Sequence, residues 1–512
     1  MGSNRRDFIK FVVAGAVAAG CPVDFRLLAA PSEATPVVEG EHNEICHQIR
    51  DGKTFDLPPV SARHDVIIVG GGVSGLYAAH LLKNYDFLLL EKEPHFGGNA
   101  YEEDFNGAIY ATGAAFTDME TAAQLQSEFG MKPLKVDNWD ASIIKGKHVP
   151  DTWGEGLDHL PYPPAVREGF KKFRQDMLSI DYKKRAAELD ALPLAQFLRG
   201  YPAEVKQWWD GYGPSNWGGA SEISSAMVGI AEMHIIAGPD RKDDRVTWPG
   251  GNGAITHRIV EVMKPKYGER MVGSATTVAV VPSGAEVKVT YLKDGQLKTV
   301  AAKSVIMATP KFITLRIVNG IPDKQKEAMR KIRYAPYPVI NLIFDKPVFN
   351  KGYDTWCPGN TFTDFIVADW TIRHEPGYKQ KYNILTFYTP LTEDDRGYLL
   401  TEESSRKIAE RVLHDFQKLY PGSNVNPLEV HMYRRGHPMF IATPGNYTQV
   451  LPIASAPMER VFFANTDSAG PVSGTDGAMR MASKAAKDVQ QRLAGQRRHA
   501  RPKSMATDGV TV

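Results

Sequence analysis

Gly70, Gly72, Gly75 and Glu91 are the residues whose types and spacing point most directly to chemistry. The glycines fit G-x-G-x-x-G, and the acid follows 21 positions after the first of them. Glycine lets a backbone turn tightly against a pyrophosphate, and the free N–H groups at a helix start meet its charge. Val73 and Ser74 open that helix, with Leu76, Ala79 and Leu82 on one face. Apolar residues 66–69 lead into the turn, and a second apolar run, 87–90, ends at Glu91 with Lys92 beside it. A carboxylate there accepts bonds from both ribose hydroxyls. Strand, turn, helix, strand and acid in this order predict a dinucleotide site rather than a plain structural turn.

A second glycine pair, Gly97 and Gly98, followed by Asn99, lies near the same end of the expected sheet. Far along the chain, residues 461–464 read as a short buried strand and Asp467 follows in a loop. A helix is then expected near Gly477 and Ala478, with Ala482 and Ala486 continuing a stripe of small residues. Such a stripe lets a helix backbone come very close to another surface, and the flavin–ribityl part of FAD is one surface that needs this.

On these residues the sequence resembles the flavin-containing amine oxidase superfamily, which also holds phytoene-desaturase-like proteins. Residues 248–253 (WPGGNG) are similar to the family's P-G-G motif, and residues 305–310 (VIMATP) to its strand and A-x-P turn. Val278 sits where the family makes a backbone contact to adenine. The family often has F-A-G-E or F-A-G-D where this chain reads Phe463-Ala464-Asn465-Thr466-Asp467, so the acid expected on the ribityl hydroxyls comes one position late. The resemblance spans most of residues 62–490 and implies an α/β fold. A Rossmann-like, NAD(P)-binding-like FAD domain would interleave with a mixed α+β substrate domain, the two-domain amine-oxidase architecture.

The resemblance also implies an oxidoreductase, a flavoprotein that oxidises an amine by hydride transfer to flavin N5. Electrons would pass to oxygen or to a periplasmic redox partner. Family members commonly hold a lysine near the flavin to help oxygen react; here Pro338 or Val339 falls at that place, which favours a dehydrogenase. Within the superfamily, residues 44–52 and 435–439 are most similar to spermidine-dehydrogenase-like proteins, associated with FAD plus haem. His47 would then be an axial haem ligand, with Cys46 the other choice, or else a histidine packed on a helix face. The absence of C-x-x-C-H excludes c-type attachment.

An aromatic pocket would desolvate the amine and favour its unprotonated form, so no catalytic triad is required. Trp217, Tyr433, His437 and Tyr447 are the candidate pocket residues, although aromatics at such spacing also build cores. Glu232, Asp364 and Asp369 are candidate partners for the distant ammonium groups of a polyamine, the alternative being solvated surface.

The 512 residues can bury a large core. A net charge of +2, with 43% hydrophobic and 23% charged residues, gives no argument for nucleic acid. Asn4-Arg5-Arg6-Asp7-Phe8-Ile9-Lys10 and the short apolar run after it resemble a twin-arginine export signal. The expected location is therefore periplasmic or secreted, in a bacterium, with a lipid anchor at Cys21 as the alternative and no transmembrane helix in the mature protein. Cys46 and Cys357 could pair there.

The expected organisation is a signal peptide over 1–34 and a linker or arm over 35–61. FAD-binding segments follow at 62–115, 246–312 and 456–494, a mainly helical substrate segment at 116–245, a sheet-rich one at 313–455, and a disordered tail at 495–512. Two other readings remain: a desaturase-like FAD enzyme acting on an apolar substrate, and a non-catalytic exported flavoprotein.

Overall fold

The computed structural model describes residues 34–40, 42–136, 140–242, 244–373, 377, 379–423 and 425–500. The expected export signal, apart from its last residue Ala34, and Cys21 lie outside them. Two sheets organise the described chain. The first runs Met271–Val272, Phe87–Leu90, Val60–Val69, Gln296–Met307, Glu286–Lys293, Thr276–Ser283, with Val461–Phe463 also paired to Gln296–Met307. Its parallel members are buried on both faces, which is why 66–69 and 87–90 read as continuous rather than alternating apolar runs. Fully burying each such Ile or Leu contributes about 1.5–3 kcal/mol.

The helix Val73–Leu81 packs on this sheet and meets the C-terminal helix Thr475–Ala500. Ala478, Ala482 and Ala486 are buried in the same core as Leu76 and Ala79. The small-residue stripe therefore serves a close helix–helix contact, and of the three only Ala478 also reaches the cavity described below. The C-terminal helix continues to Ala500, six residues past the expected boundary at 494.

The second sheet has eight strands in the order Val37–Gly40, Glu429–Arg434, Val339–Phe344, Asn383–Tyr388, Asp364–Val367, Asp354–Trp356, Ala141–Ile144, Lys147–Val149. Helices Pro164–Leu178, Ala203–Trp217 and Ala226–Ala237 gather beside it around Trp153, Trp208 and Trp209. The expected linker is not a plain connector. Val37–Gly40 adds a parallel strand to the sheet edge, Glu44–Arg50 is a helix, and the long central strand of the first sheet already begins at Val60. No disulfide joins Cys46 to Cys357, which lies in the core of the second sheet. Among the described residues no helix is long and apolar enough to cross a membrane.

Candidate active site

Where the strand Val60–Val69 ends, Gly70 has φ +105°, a conformation that L side chains rarely adopt. A Cβ on Gly75 would lie 1.8 Å from the Gly70 carbonyl oxygen, so the third glycine seats the helix against the turn and does not itself line the site. A Cβ on Gly72 would meet nothing closer than the Gly97 oxygen at 3.7 Å. That position opens into a cavity of about 1190 Å³.

One end of the cavity is lined by Gly70, Gly72, Val73, Ser74, Glu91, Lys92, Gly97, Gly98 and Asn99, all of them residues singled out in the sequence. Glu91 is 7% exposed; its Oε2 accepts the Gly71 N–H at 2.5 Å and its Oε1 the Glu93 N–H at 2.9 Å. Each oxygen keeps a further lone pair for a ligand. Burial pushes its carboxyl above the usual carboxylate range, and the two N–H groups and Lys92 draw it back. Lys92 Nζ pairs with Glu93, which also accepts His42 N–H at 2.9 Å and ties the N-terminal arm to this end.

Asn252 Oδ1, Thr277 Oγ1, Thr309 Oγ1 and Ser473 Oγ are buried here without a protein partner, and all four residues line the cavity. Native structures leave few such atoms. With the open Cβ direction of Gly72, they fit a long polar ligand of the FAD type. The helix Thr475–Ala500 adds its N-terminus, with Gly474, Thr475, Asp476 and Ala478 lining the wall and Gly477 turned away.

Besides Gly75 and Gly477, two further residues expected at the cofactor, Val278 and Asp467, lie off the cavity wall. Ala275, Thr276 and Thr277 line the cavity in place of Val278, which sits at a break in the strand register. Asp467 is fully buried away from the cavity: Lys311 N–H, Lys311 Nζ and Tyr334 Oη donate to it at 2.7, 2.9 and 2.6 Å. Asn465 and Thr466 face the cavity in its stead. The one-position offset in the sequence marks this change.

The other end lies on the second sheet, and strand register decides its lining. Tyr433, Val339, Tyr388, Asp364 and Trp356 are consecutive cross-strand partners on five neighbouring strands, and all five line the cavity. Residues in one such row share a face. Of Pro338 and Val339, only Val339 lines the cavity. Tyr388 Oη donates to the Gly113 oxygen at 2.8 Å, and Tyr337 and Ser215 hydroxyls lie 2.5 Å apart. Asp354, two residues before Trp356 and on the same face, also lines the wall.

Of the predicted pocket residues, Tyr433 and His437 line the cavity; Tyr433 Oη donates to Glu103, and the His437 ring lies 4.6 Å from Phe312. Burial, then Arg396, His47 and Arg50, push His437 down to about 4, so it stays neutral. Trp217 is 1% exposed and stacks on Trp209 at 6.0 Å in the helical core, where its place just before the left-handed Gly218 turns it inward. Tyr447 is 36% exposed on a surface turn. Neither lines the site. Of the candidate carboxylates only Asp364 does. Glu232 accepts Tyr212 Oη at 2.6 Å, and Asp369 is used by Arg373, Asn383 and the Ile384 N–H.

His47, on the helix Glu44–Arg50, is half-buried and lies off the cavity wall, whereas Cys46 lines it. Among the described residues no group of three or more His, Cys, Asp and Glu side chains could hold a metal ion.

Sequence reasoning missed Asp354, Tyr337, Tyr388 and Arg435. The Arg435 guanidinium reaches Gly98 O at 3.1 Å and Thr112 Oγ1 at 3.0 Å, bracing the second glycine turn from the opposite sheet. The same-face pair Asp354 and Trp356 is the one signal a period-two reading could have used.

Comparison with known proteins agrees with this geometry. Oxidoreductase PigB of Serratia sp. is 22% identical, over 85% of this chain and 76% of its own length. Amine oxidase [flavin-containing] A of Equus caballus is 25% identical, over 84% of this chain and 85% of its own. Cyclohexylamine oxidase from Brevibacterium oxydans superimposes with a TM-score of 0.66 at 18% identity, covering 84% of this chain and 99% of that one. A putrescine oxidase bound to putrescine gives 0.65 at 18%, covering 85% and 100%. Residues 73–490 match the family model described as flavin containing amine oxidoreductase. The chain belongs to that family and is an FAD-dependent enzyme.

Proposed function

We propose that this protein oxidises an amine, in its finer form a polyamine, after export by the twin-arginine route, and passes the electrons to a redox partner rather than to oxygen. The observation that carries the catalytic part is one continuous cavity, in which a dinucleotide cradle runs into an aromatic and acidic lobe. Bound FAD supplies the hydride acceptor, so the carbon next to nitrogen loses hydride as the nitrogen lone pair forms the C=N bond.

The chain's own residues bind, orient and exclude water. Gly72, Glu91, Asn252 and Thr277 would hold the cofactor. Val339, Tyr388, Tyr337 and Phe116 present an apolar, aromatic surface that disfavours the ammonium form of the reacting nitrogen. No side-chain base is needed. Val339 in the lysine-like place supports an acceptor other than oxygen. Twin arginines in the sequence support export, and the putrescine oxidase likeness supports a polyamine.

The test is the visible spectrum of the natively exported protein under anaerobic conditions, before and after spermidine and simpler amines. Flavin bands that bleach with an amine, and recover with a quinone faster than with air, are expected. A Soret band would add a haem, with His47 its candidate ligand. Flavin bands indifferent to every amine would sink the reading and favour an apolar substrate.

A further inference from the structure

Asp354 and Asp364 stand on adjacent antiparallel strands and share the cavity face. They are 1% and 4% exposed. Oδ1 of Asp354 has no hydrogen-bond partner in the protein, and its Oδ2 is 3.4 Å from Arg245 Nη1, which pairs more closely with Asp140. Asp364 accepts the Thr363 hydroxyl at 2.5 Å. The neighbourhood thus holds Asp140, Asp354 and Asp364 together with the guanidinium of Arg245. An acceptor oxygen buried with no donor is costly unless a ligand supplies one. Trp356, Tyr388 and Tyr337 line the same cavity beside the pair, and aromatic rings attract cations.

Position matters as much as charge. Tyr388 touches the Gly113 carbonyl at the boundary with the cofactor end. Asp364 lies one strand beyond Tyr388 and two beyond Val339, or about 5 and 10 Å at ordinary strand spacing. A nitrogen desolvated over Val339 and Tyr388 therefore lies a short alkyl chain away from the carboxylates.

We propose that Asp354 and Asp364 receive a second cationic nitrogen of the substrate, so that the preferred amine is a dication, an alkyl diamine or polyamine, rather than a monoamine. The inference rests on the amine-oxidising reading for its reacting nitrogen. Of the carboxylates the sequence offers for the distant nitrogen it keeps Asp364, drops Glu232 and Asp369, and adds Asp354. Burial pushes both carboxyls up, Asp364 to about 7, so an arriving ammonium draws them to the charged form and releases protons.

The experiment compares putrescine with butylamine, which has the same carbon chain and one nitrogen fewer. The FAD-loaded wild type and its Asp364→Asn and Asp354→Asn variants are measured anaerobically, by flavin bleaching for kcat/KM and by calorimetry for binding. The wild type should favour putrescine by about a hundredfold, the scale of losing one partner of a buried charge pair. Either variant should collapse that ratio to within about tenfold at unchanged flavin content. A wild type that treats the two amines alike, or binds neither, overturns the subsite. So does a variant that keeps the full ratio. If putrescine binds tightly, binds weakly to Asp364→Asn, and bleaches no flavin, the subsite stands and the amine-oxidising reading falls.

Discussion

Lys311 Nζ lies 2.9 Å from Asp467 Oδ1, and neither side chain has any exposed surface. Asp467 also accepts the Lys311 N–H and the Tyr334 hydroxyl, and Lys311 Nζ also donates to Ser468 Oγ, so the pair is hydrogen-bonded as well as charge-balanced. It staples the start of the helix Lys311–Ile317 to the turn that presents Asn465 and Thr466 to the cavity.

Removing one partner leaves a buried charge without compensation, at a cost of about 3–5 kcal/mol. Asp467→Asn and Lys311→Met should each lower the thermal midpoint by that equivalent and reduce FAD content. The double change Lys311→Met with Asp467→Leu should lie closer to wild type than either single one. Calorimetric melts read this directly, and single variants within about 1 kcal/mol of wild type would show the pair to be dispensable.

Two glycines of the same motif should fail differently. At Gly75 an added Cβ collides with the Gly70 backbone, so Gly75→Ala should disturb the turn and lower stability whether or not FAD is present. At Gly72 the same atom enters the cavity, so Gly72→Val should keep its far-UV circular dichroism and lose FAD. A Gly72→Val protein purified with a full flavin complement would contradict the phosphate-turn assignment.

His437 and Asp364 give opposite pH slopes. A histidine pushed down to about 4 makes the unfolded chain the better proton binder, so stability is lost as pH falls from about 6.5 through 4. An aspartate raised to about 7 makes the folded chain the better binder, so stability is lost as pH rises from about 4 through 7. In urea melts across that range, His437→Gln should flatten the acid-side loss and Asp364→Asn the loss on raising pH. Unchanged slopes would mean that neither environment is as the structure has it.

Val339 offers a direct test of the electron acceptor. Val339→Lys places an amine where the family resemblance expects one, and reoxidation of the reduced flavin by air should accelerate while quinone reoxidation does not. Stopped-flow traces showing no gain with oxygen would remove the basis for reading the missing lysine as a preference for another acceptor.

The FAD end was legible because its information is local. A strand, a three-glycine turn, a helix and an acid lie within 66–91, and backbone sterics and helix-end charge act over just such a stretch. The family follows from that stretch and its counterparts at 97–99 and 463–478. The substrate end is not written in any one segment. Tyr433, Val339, Tyr388, Asp364 and Trp356 come from five strands, and only their hydrogen-bonded register places them on one face. Composition makes Trp217 and Tyr447 look as suitable as Tyr388, yet tertiary packing sends one into the helical core and the other to the surface. Asp467 shows the limit most sharply. A one-residue offset was visible in the sequence, but the buried ammonium of Lys311, 156 positions away, decided which way the carboxylate faces.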